Sequence, residues 1–187
     1  CVVLPASPSY DDIIKAKSSE AALKYFWQSQ RVKDTLTEAL EWLLTTGTVA
    51  LHPYYDPGDK NVKLEAFGAY DIFFEKGVRS PDDSSWVALR SYHTRHDLKE
   101  AYPDKTELID STPVSSQPNN SGAAPIDSGT MPPDRIEVYE FYWRDGRHGI
   151  GTESGWLYTD KHTSDGFPVE IIRYSVIPRR LWGLSLI

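Results

Sequence analysis

The chain has 187 residues, 40% of them hydrophobic and 25% charged, with a formal net charge of −7. That length and composition suit a globular protein with one good core, or one core and a small second unit. The acidic balance argues against a protein that grips nucleic acid by neutralising phosphates, though not against one that surrounds DNA without holding it. The single cysteine, Cys1, permits no intrachain disulfide and fits a reducing compartment, or a particle assembled in one. No apolar run approaches the roughly 20 residues that span a bilayer. The start, CVVLPASPSYDD, lacks the basic region and sustained apolar core of a signal peptide. The opening Cys1 and the apolar end LWGLSLI read as cuts in a longer chain. The 6 Trp and 11 Tyr point to large contact surfaces, within the chain or between chains.

Pro5 and Pro8 make residues 1–17 an extended lead-in, with Asp11 to Lys17 open to a turn or two of helix. From 19 to 46 the pattern is that of one long amphipathic helix. Ala22, Tyr25, Val32, Leu36, Leu40 and Leu43 fall near one face. Such a helix would be about 40 Å long. Gly47 suits the position just past its end. TVALHPYY (48–55) reads as a strand in which His52 and Pro53 mark an edge or bulge. Asp56-Pro57-Gly58-Asp59 is a turn, NVKLEAF (61–67) the returning strand, and AYDIFFE (69–75) a third strand.

Asp82 to Asp104 forms a corner of scaffold. Trp86, Ala88 and Tyr92 alternate with Val87 and Leu89, which suits a strand covered on both faces. Thr94 and Asp97 have the spacing of a capping box. Leu98, Ala101 and Tyr102 give the short helix an apolar side, and Pro103 stops it. Residues 104–134 are rich in Pro, Ser, Asn and Gly and read as a flexible low-complexity loop that divides the chain. RIEVYEFYWR (135–144) then alternates cleanly. Ile136, Val138, Glu140 and Tyr142 lie on one side, Glu137, Tyr139, Phe141 and Trp143 on the other. Asp145-Gly146 is a hairpin turn, with 151–159 as the partner strand. Asp165-Gly166 is a further turn, 167–175 a further strand, and 177–187 the start of a helix. The expected fold is α+β: a helix and β region over 1–103, the loop 104–134, a small β-rich region 135–176, and a new helix from 177.

Few constellations point to chemistry. His93 and His96 stand three apart, but zinc needs three or four ligands, and His52, His148 and His162 are scattered. They read as surface histidines around a helix cap, and no metal or cofactor is expected. The carboxylate pairs Asp11/Asp12, Asp82/Asp83 and Glu137/Glu140 read as solvated turn and strand faces, because paired catalytic carboxylates are set by fold and not by spacing. GRHGIG (146–151) is neither a dinucleotide fingerprint nor a Walker loop, and no nucleophile elbow is present. An enzyme is therefore not expected. Arg173, Arg179, Arg180 and Trp182, with Tyr174, form a small basic-aromatic cluster suited to phosphate or an acidic neighbouring chain, with a solvated face as the plainer reading.

The order of these pieces resembles the portal proteins (head-to-tail connectors) of tailed double-stranded DNA bacteriophages. The resemblance rests on KYFWQSQRVKDTLTEALEWLLTTG followed by TVALHPYYDPG, then on VKLEAFGAYDIFFEKGVRSPDDSSWVALRSYHTRHDLKEAYPD. In the latter, Thr94, Asp97, Leu98, Tyr102 and Pro103 carry a family helix pattern. VYEFYWR, with Tyr139, Glu140 and Trp143, is similar to a family strand. IPRRLWGLSLI, with Trp182, Gly183 and Ser185, is similar to the approach to the stem helix. The insert at 111–134 departs from the family pattern. The resemblance implies a portal wing over 1–103, a clip-like region over 135–176 and a stem helix from 177. It also implies a closed ring of about twelve subunits at a capsid vertex, located in the virion and assembled in the host cytoplasm. Its partners would be the capsid protein, the terminase large subunit, and head-completion, adaptor and tail proteins. Double-stranded DNA would pass through the channel without sequence specificity, and no membrane is involved. Arg173, Arg179, Arg180 and Trp182 would then make intersubunit contacts. Two other readings stand beside this one. The first is another α+β interaction module of a virion or tail, without a DNA channel. The second is a carbohydrate-active domain using Trp and Tyr as sugar platforms, which requires an aromatic-lined cleft with two facing carboxylates.

Overall fold

The computed structural model describes residues 2–56, 58–114, 135–161 and 166–186. Cys1, Pro57, His162, Asp165, Ile187 and most of the 104–134 segment lie outside them. The described chain is mixed α+β. Its helices are α1 (Tyr10–Ser29), α2 (Val32–Thr46), α3 (Arg95–Ala101) and α4 (Thr106–Ser111). Its strands are β1 (Thr48–Asp56), β2 (Asn61–Gly68), β3 (Ile72–Phe74), β4 (Trp86–Thr94), β5 (Arg135–Trp143), β6 (Arg147–Thr152), β7 (Gly155–Lys161) and β8 (Glu170–Arg173). They form two antiparallel sheets, ordered β2-β1-β8 and β3-β4-β5-β6-β7.

The single long helix expected over 19–46 is two helices. Ser9 caps α1 early, its hydroxyl accepting from the Asp12 N–H at 3.3 Å, with Asp11 and Asp12 in the positively polarised first turn. Arg31 then takes a left-handed conformation (φ 49°, ψ 40°) and breaks the helix. The reason lies in burial. α2 sinks Val32, Ala39 and Trp42, whereas α1 buries Ala16 alone, so packing does not hold the two in one line. Gly47, at φ 79°, closes α2 as expected, its N–H reaching the Leu43 carbonyl at 3.0 Å.

Alternation along β1 sends Val49 and Leu51 outward, where with Ala66 and Ile172 they meet Ala39, Trp42 and Leu43 of α2. Ala50, Phe67 and Ile171 point the other way, onto Ile72, Val87, Leu89 and Tyr142 of the five-stranded sheet. The layers are therefore helix, three-stranded sheet, five-stranded sheet. The rest of the larger sheet's inner face is covered by α3 and α4, where Leu98 and Ile109 pack on Ile136, Val138 and Leu157. Thr94 caps α3, its hydroxyl accepting from the Asp97 N–H at 3.2 Å.

Several boundaries differ from the sequence reading. The third strand shortens to β3, because Ala69–Asp71 form a 3-10 turn. The strand expected over 151–159 is interrupted at 153–154, and the hairpin partner of β5 is β6, not β7. The strand over 167–175 keeps only Glu170–Arg173. Residues 103–111, read mostly as loop, form a 3-10 turn and α4. Ile109 is fully buried and anchors that helix. Residues 177–186 contain no helix; they turn back so that Leu184 bridges Ser175. The division into 1–103 and 135–176 is crossed by strand pairing: β4 and β5 pair over their whole lengths, from Trp86↔Trp143 to Thr94↔Arg135. The edge reading of Pro53 fits its place beyond Leu51, the last β1 residue paired with β8.

Just before β3 begins, Arg90 of β4 reaches Asp71 at 2.9 Å, their side chains only 12% and 7% exposed. Burial pushes the Asp71 carboxyl up, against the opposing effect of Arg90. Arg90→Ala strands that carboxylate and is expected to lower unfolding stability by about 3–5 kcal/mol in urea titration, with Arg90→Met/Asp71→Leu recovering most of the loss. Gly68 lies under the Trp42 indole, where an added Cβ would come within 2.5 Å of ring carbons. Gly68→Ala is expected to cost about 1–3 kcal/mol in the same assay.

Candidate functional site

The outer face of the five-stranded sheet is aromatic. On β5, Tyr139, Phe141 and Trp143 point outward. Trp86 stands opposite Trp143, and Ala88 stands opposite Phe141 and Phe73. Gly149 and Gly151 of β6 leave a floor over which Trp156 lies; a Cβ at Gly149 would come 2.8 Å from its ring. The rings form a continuous band. Phe141 is 5.5 Å from Trp143 in a stacked pair, 5.3 Å from Trp156 edge to face, and 5.7 Å from Trp86. Phe73 meets Tyr139 at 5.8 Å. Guanidinium groups sit at its margins, Arg147 at 5.1 Å over Trp143 and Arg90 at 5.5 Å over Phe73. Burial, and then the hydrogen bond donated to Glu137 at 2.7 Å, push the Tyr139 hydroxyl up to about 12. A groove of about 350 Å³ opens between Tyr139, Phe141 and Trp156, and Glu153 is the one carboxylate among its described lining residues.

A second uncovered surface is α1. Tyr10, Ile14, Leu23, Tyr25 and Trp27 are exposed around the helix, Tyr10 to 76% and Tyr25 to 66%, without forming a single apolar face.

The residues singled out in the sequence lie in the segment after β8. Arg173 ends that strand, and its guanidinium lies 3.5 Å from the Arg180 carbonyl. Arg179 is in a left-handed turn (φ 66°), and both it and Arg180 face solvent. Trp182 turns away from them and meets Phe74 of β3 edge to face at 5.7 Å. The structure thus brings Arg173 and Arg180 together through the backbone. The segment is tied to the α2–β1 junction by backbone: Tyr174 N–H to Gly47 O at 3.0 Å, Gly183 N–H to Thr48 Oγ1 at 2.9 Å, and Leu186 N–H to Leu44 O at 2.9 Å.

A polar cluster, not foreseen from the sequence, joins the two sheets; His52 and Tyr142 are buried, Glu140 and His148 partly exposed. The Tyr142 hydroxyl donates to Glu140 Oε1 at 2.6 Å and lies 2.8 Å from His52 Nε2; His148 Nε2 is 2.8 Å from the same Glu140 oxygen. Because the Tyr142 proton is committed to the carboxylate, His52 must donate from Nε2. Burial works to raise the Glu140 carboxyl, but the His148 hydrogen bond, nearby His52 and the Tyr142 hydroxyl hold it below the usual range. The available signal was Glu140 on the otherwise apolar side of β5. Of the other histidines, His93 Nε2 lies 3.0 Å from Ser91 Oγ, and His96 is exposed on α3. Among the described residues no group of three or more His, Cys, Asp or Glu side chains is placed to hold a metal ion. No helix among them is long and apolar enough to cross a membrane. No protein-family model matches the chain, and no curated protein matches it.

Gly47 combines a positive φ with close approach: a Cβ there would lie 2.5 Å from the Gly183 oxygen and the Leu184 carbonyl carbon. Gly47→Ala is expected to destabilise by more than about 1 kcal/mol. It should speed amide exchange at Tyr174 and Leu186, while β4 and β5 keep their protection.

Proposed function

We propose that the chain is part of a structural subunit of a bacteriophage portal ring. The ring would sit at one capsid vertex, pass double-stranded DNA during packaging and ejection, and dock the terminase large subunit, the capsid protein, and the adaptor and tail proteins. The observation that carries this reading is a pair of surfaces bearing exposed or half-exposed aromatic side chains, α1 and the aromatic sheet face. They are different surfaces of one chain. A contact between unlike surfaces is the heterologous kind that closes rings, and Tyr and Trp are enriched where subunits meet. The order of sequence motifs resembling portals supports the same reading. So does the net charge of −7, since a channel wall that repels phosphates lets DNA slide where a basic wall would trap it. Wing and clip remain part of the proposal, as do virion location and a role for Arg173, Arg179, Arg180 and Trp182 between subunits.

A second reading, an α+β interaction module of a virion or tail without a DNA channel, is favoured by two observations. The β4–β5 pairing makes one sheet of what would be wing and clip, and residues 177–186 turn back where a stem helix would begin. Native mass spectrometry with negative-stain imaging of the full-length protein separates the two. The portal reading expects closed rings of about twelve copies with a central hole. A monomer or dimer at micromolar concentration overturns it. In rings, Tyr25→Asp or Trp156→Asp is expected to shift the population toward free subunits without altering the circular dichroism of the subunit.

A further inference from the structure

The groove on the aromatic face is a corner built of rings. Trp156 spans the glycines of β6, and the Phe141 ring meets it at an interplanar angle of 71°, with 5.3 Å between centroids. Two aromatic walls thus stand nearly at right angles. Tyr139 continues the wall beyond Phe141 at 6.5 Å, tilted by 39°. Gly151 and Gly155 have no side chains to fill the space, which amounts to about 350 Å³. Trp156 is 45% exposed, so the corner is open to solvent.

Charge is distributed unevenly around it. The face of an aromatic ring is the negative part of its quadrupole. The Tyr139 hydroxyl donates to the Glu137 carboxylate at 2.7 Å, which pushes further electron density into that ring. Glu153 is exposed at the edge of the groove and has no hydrogen-bond or ion-pair partner among the described residues. No lysine, arginine or histidine is among the described lining residues. The guanidinium groups at the margins of the band are already paired, Arg147 with Asp145 at 2.8 Å and Arg90 with Asp71 at 2.9 Å.

The chain itself shows which cation suits such rings. Each cation–ring contact among the described residues is made by arginine: Arg90 over Phe73 and Tyr92 at 5.5 Å, and Arg144 over Phe167 and Arg147 over Trp143 at 5.1 Å. The band therefore carries its own guanidinium groups at both margins. Phe141 and Trp156, between them, carry none, and an unpaired carboxylate stands beside them. A planar guanidinium can stack on a ring while donating in its own plane to a carboxylate. An ammonium keeps more of its water and has no flat face to stack.

We propose that this corner is a docking site for an arginine side chain of a partner polypeptide. The guanidinium lies against Phe141 and Trp156 and donates to the Glu153 carboxylate, while the aliphatic stem runs along Tyr139 and the glycine floor. Glu153 alone, on an exposed turn, would hold an arginine only weakly. The rings add the attraction of their faces and exclude water from one side of the cation. They are held by one another and by the sheet before the arginine arrives, so little side-chain entropy is lost on binding. The assignment does not rest on the ring reading above, since it concerns which side chain the groove takes and not how many copies assemble.

The test is an NMR titration of the folded protein with acetyl-Gly-Arg-Gly-amide and with the citrulline and lysine counterparts of that peptide. Citrulline keeps the shape of arginine and removes its charge. The arginine peptide is expected to shift the Trp156 indole, the Phe141 ring and the Glu153 amide along one saturable curve, while signals of the buried Ile136 stay in place. The citrulline peptide is expected to bind about tenfold more weakly, the combined loss of the cation–ring attraction and the exposed ion pair. The lysine peptide is expected to fall between the two. Glu153→Gln should weaken arginine binding by about two- to fivefold and leave the citrulline peptide unchanged. Trp156→Leu should weaken arginine binding by about fivefold. Equal affinity for the arginine and citrulline peptides overturns the proposal. So does a lysine peptide bound as tightly as the arginine one, or an arginine response that does not saturate or spares Trp156. The three peptides on the unaltered protein decide the matter even if Trp156→Leu fails to fold. A failure of ring assembly leaves the peptide result standing, and a failure of the peptide result leaves the count of copies standing.

Discussion

The nine-residue pairing of β4 with β5 is the constraint on which the rest depends. It joins segments separated by more than forty residues and fixes which side of each strand faces inward. Side chains alternate with a period of two, so this register places Val87, Leu89, Ile136, Val138 and Tyr142 inward and Trp86, Tyr139, Phe141 and Trp143 outward together. A slip by one residue would exchange the apolar core for the aromatic band. Both faces are apolar, so hydrophobic burial alone does not penalise that slip as it would in a sheet with one polar face. The polar groups break the tie. Glu140 finds His148, and Tyr142 finds His52, only when their side of β5 points inward, and Arg90 finds Asp71 only at the margin where β3 begins.

The aromatic band is partly its own cover. Each offset or edge-to-face contact contributes about 0.5–1.5 kcal/mol beyond area burial. Phe141 makes such contacts with Trp86, Trp143 and Trp156 at once. Rigid, preassembled rings lose little side-chain entropy when a partner is added. Gly149 and Gly151 belong to the same arrangement: β-branched residues would give a better isolated strand, but Trp156 needs the space above them. The strand has given up intrinsic propensity to hold a large ring flat on the sheet.

What the sequence made legible was local. The Thr94–Asp97 cap, the alternation of 135–143, the turn at Asp145-Gly146 and the glycine ending α2 depend on neighbours a few residues away, and their types announce them. The overall α+β class followed from these. Tertiary packing decided what went unread. Arg31 carries no breaker signal; it turns left-handed because α2 is held by the sheet and α1 is not. Residues 106–111 looked like loop because their surroundings are low in complexity, yet one buried isoleucine is enough to dock a short helix. The left-handed turn at Arg179 and the contact of Trp182 with Phe74 were likewise set by tertiary packing and not announced by residue type.

The polar cluster was hidden for a related reason. His52 and His148 are 96 positions apart, and neither stands in a motif. A buried hydrogen-bonded network of this kind is a poor way to gain stability, since well-packed apolar residues of similar volume are often as good or better. Its physical value lies in uniqueness. An apolar interface between two sheets tolerates sliding, because methyl groups fit one another in many positions. A chain of three hydrogen bonds ending on one carboxylate oxygen is satisfied in one alignment, and a buried polar group left unsatisfied in any other costs about 1–3 kcal/mol.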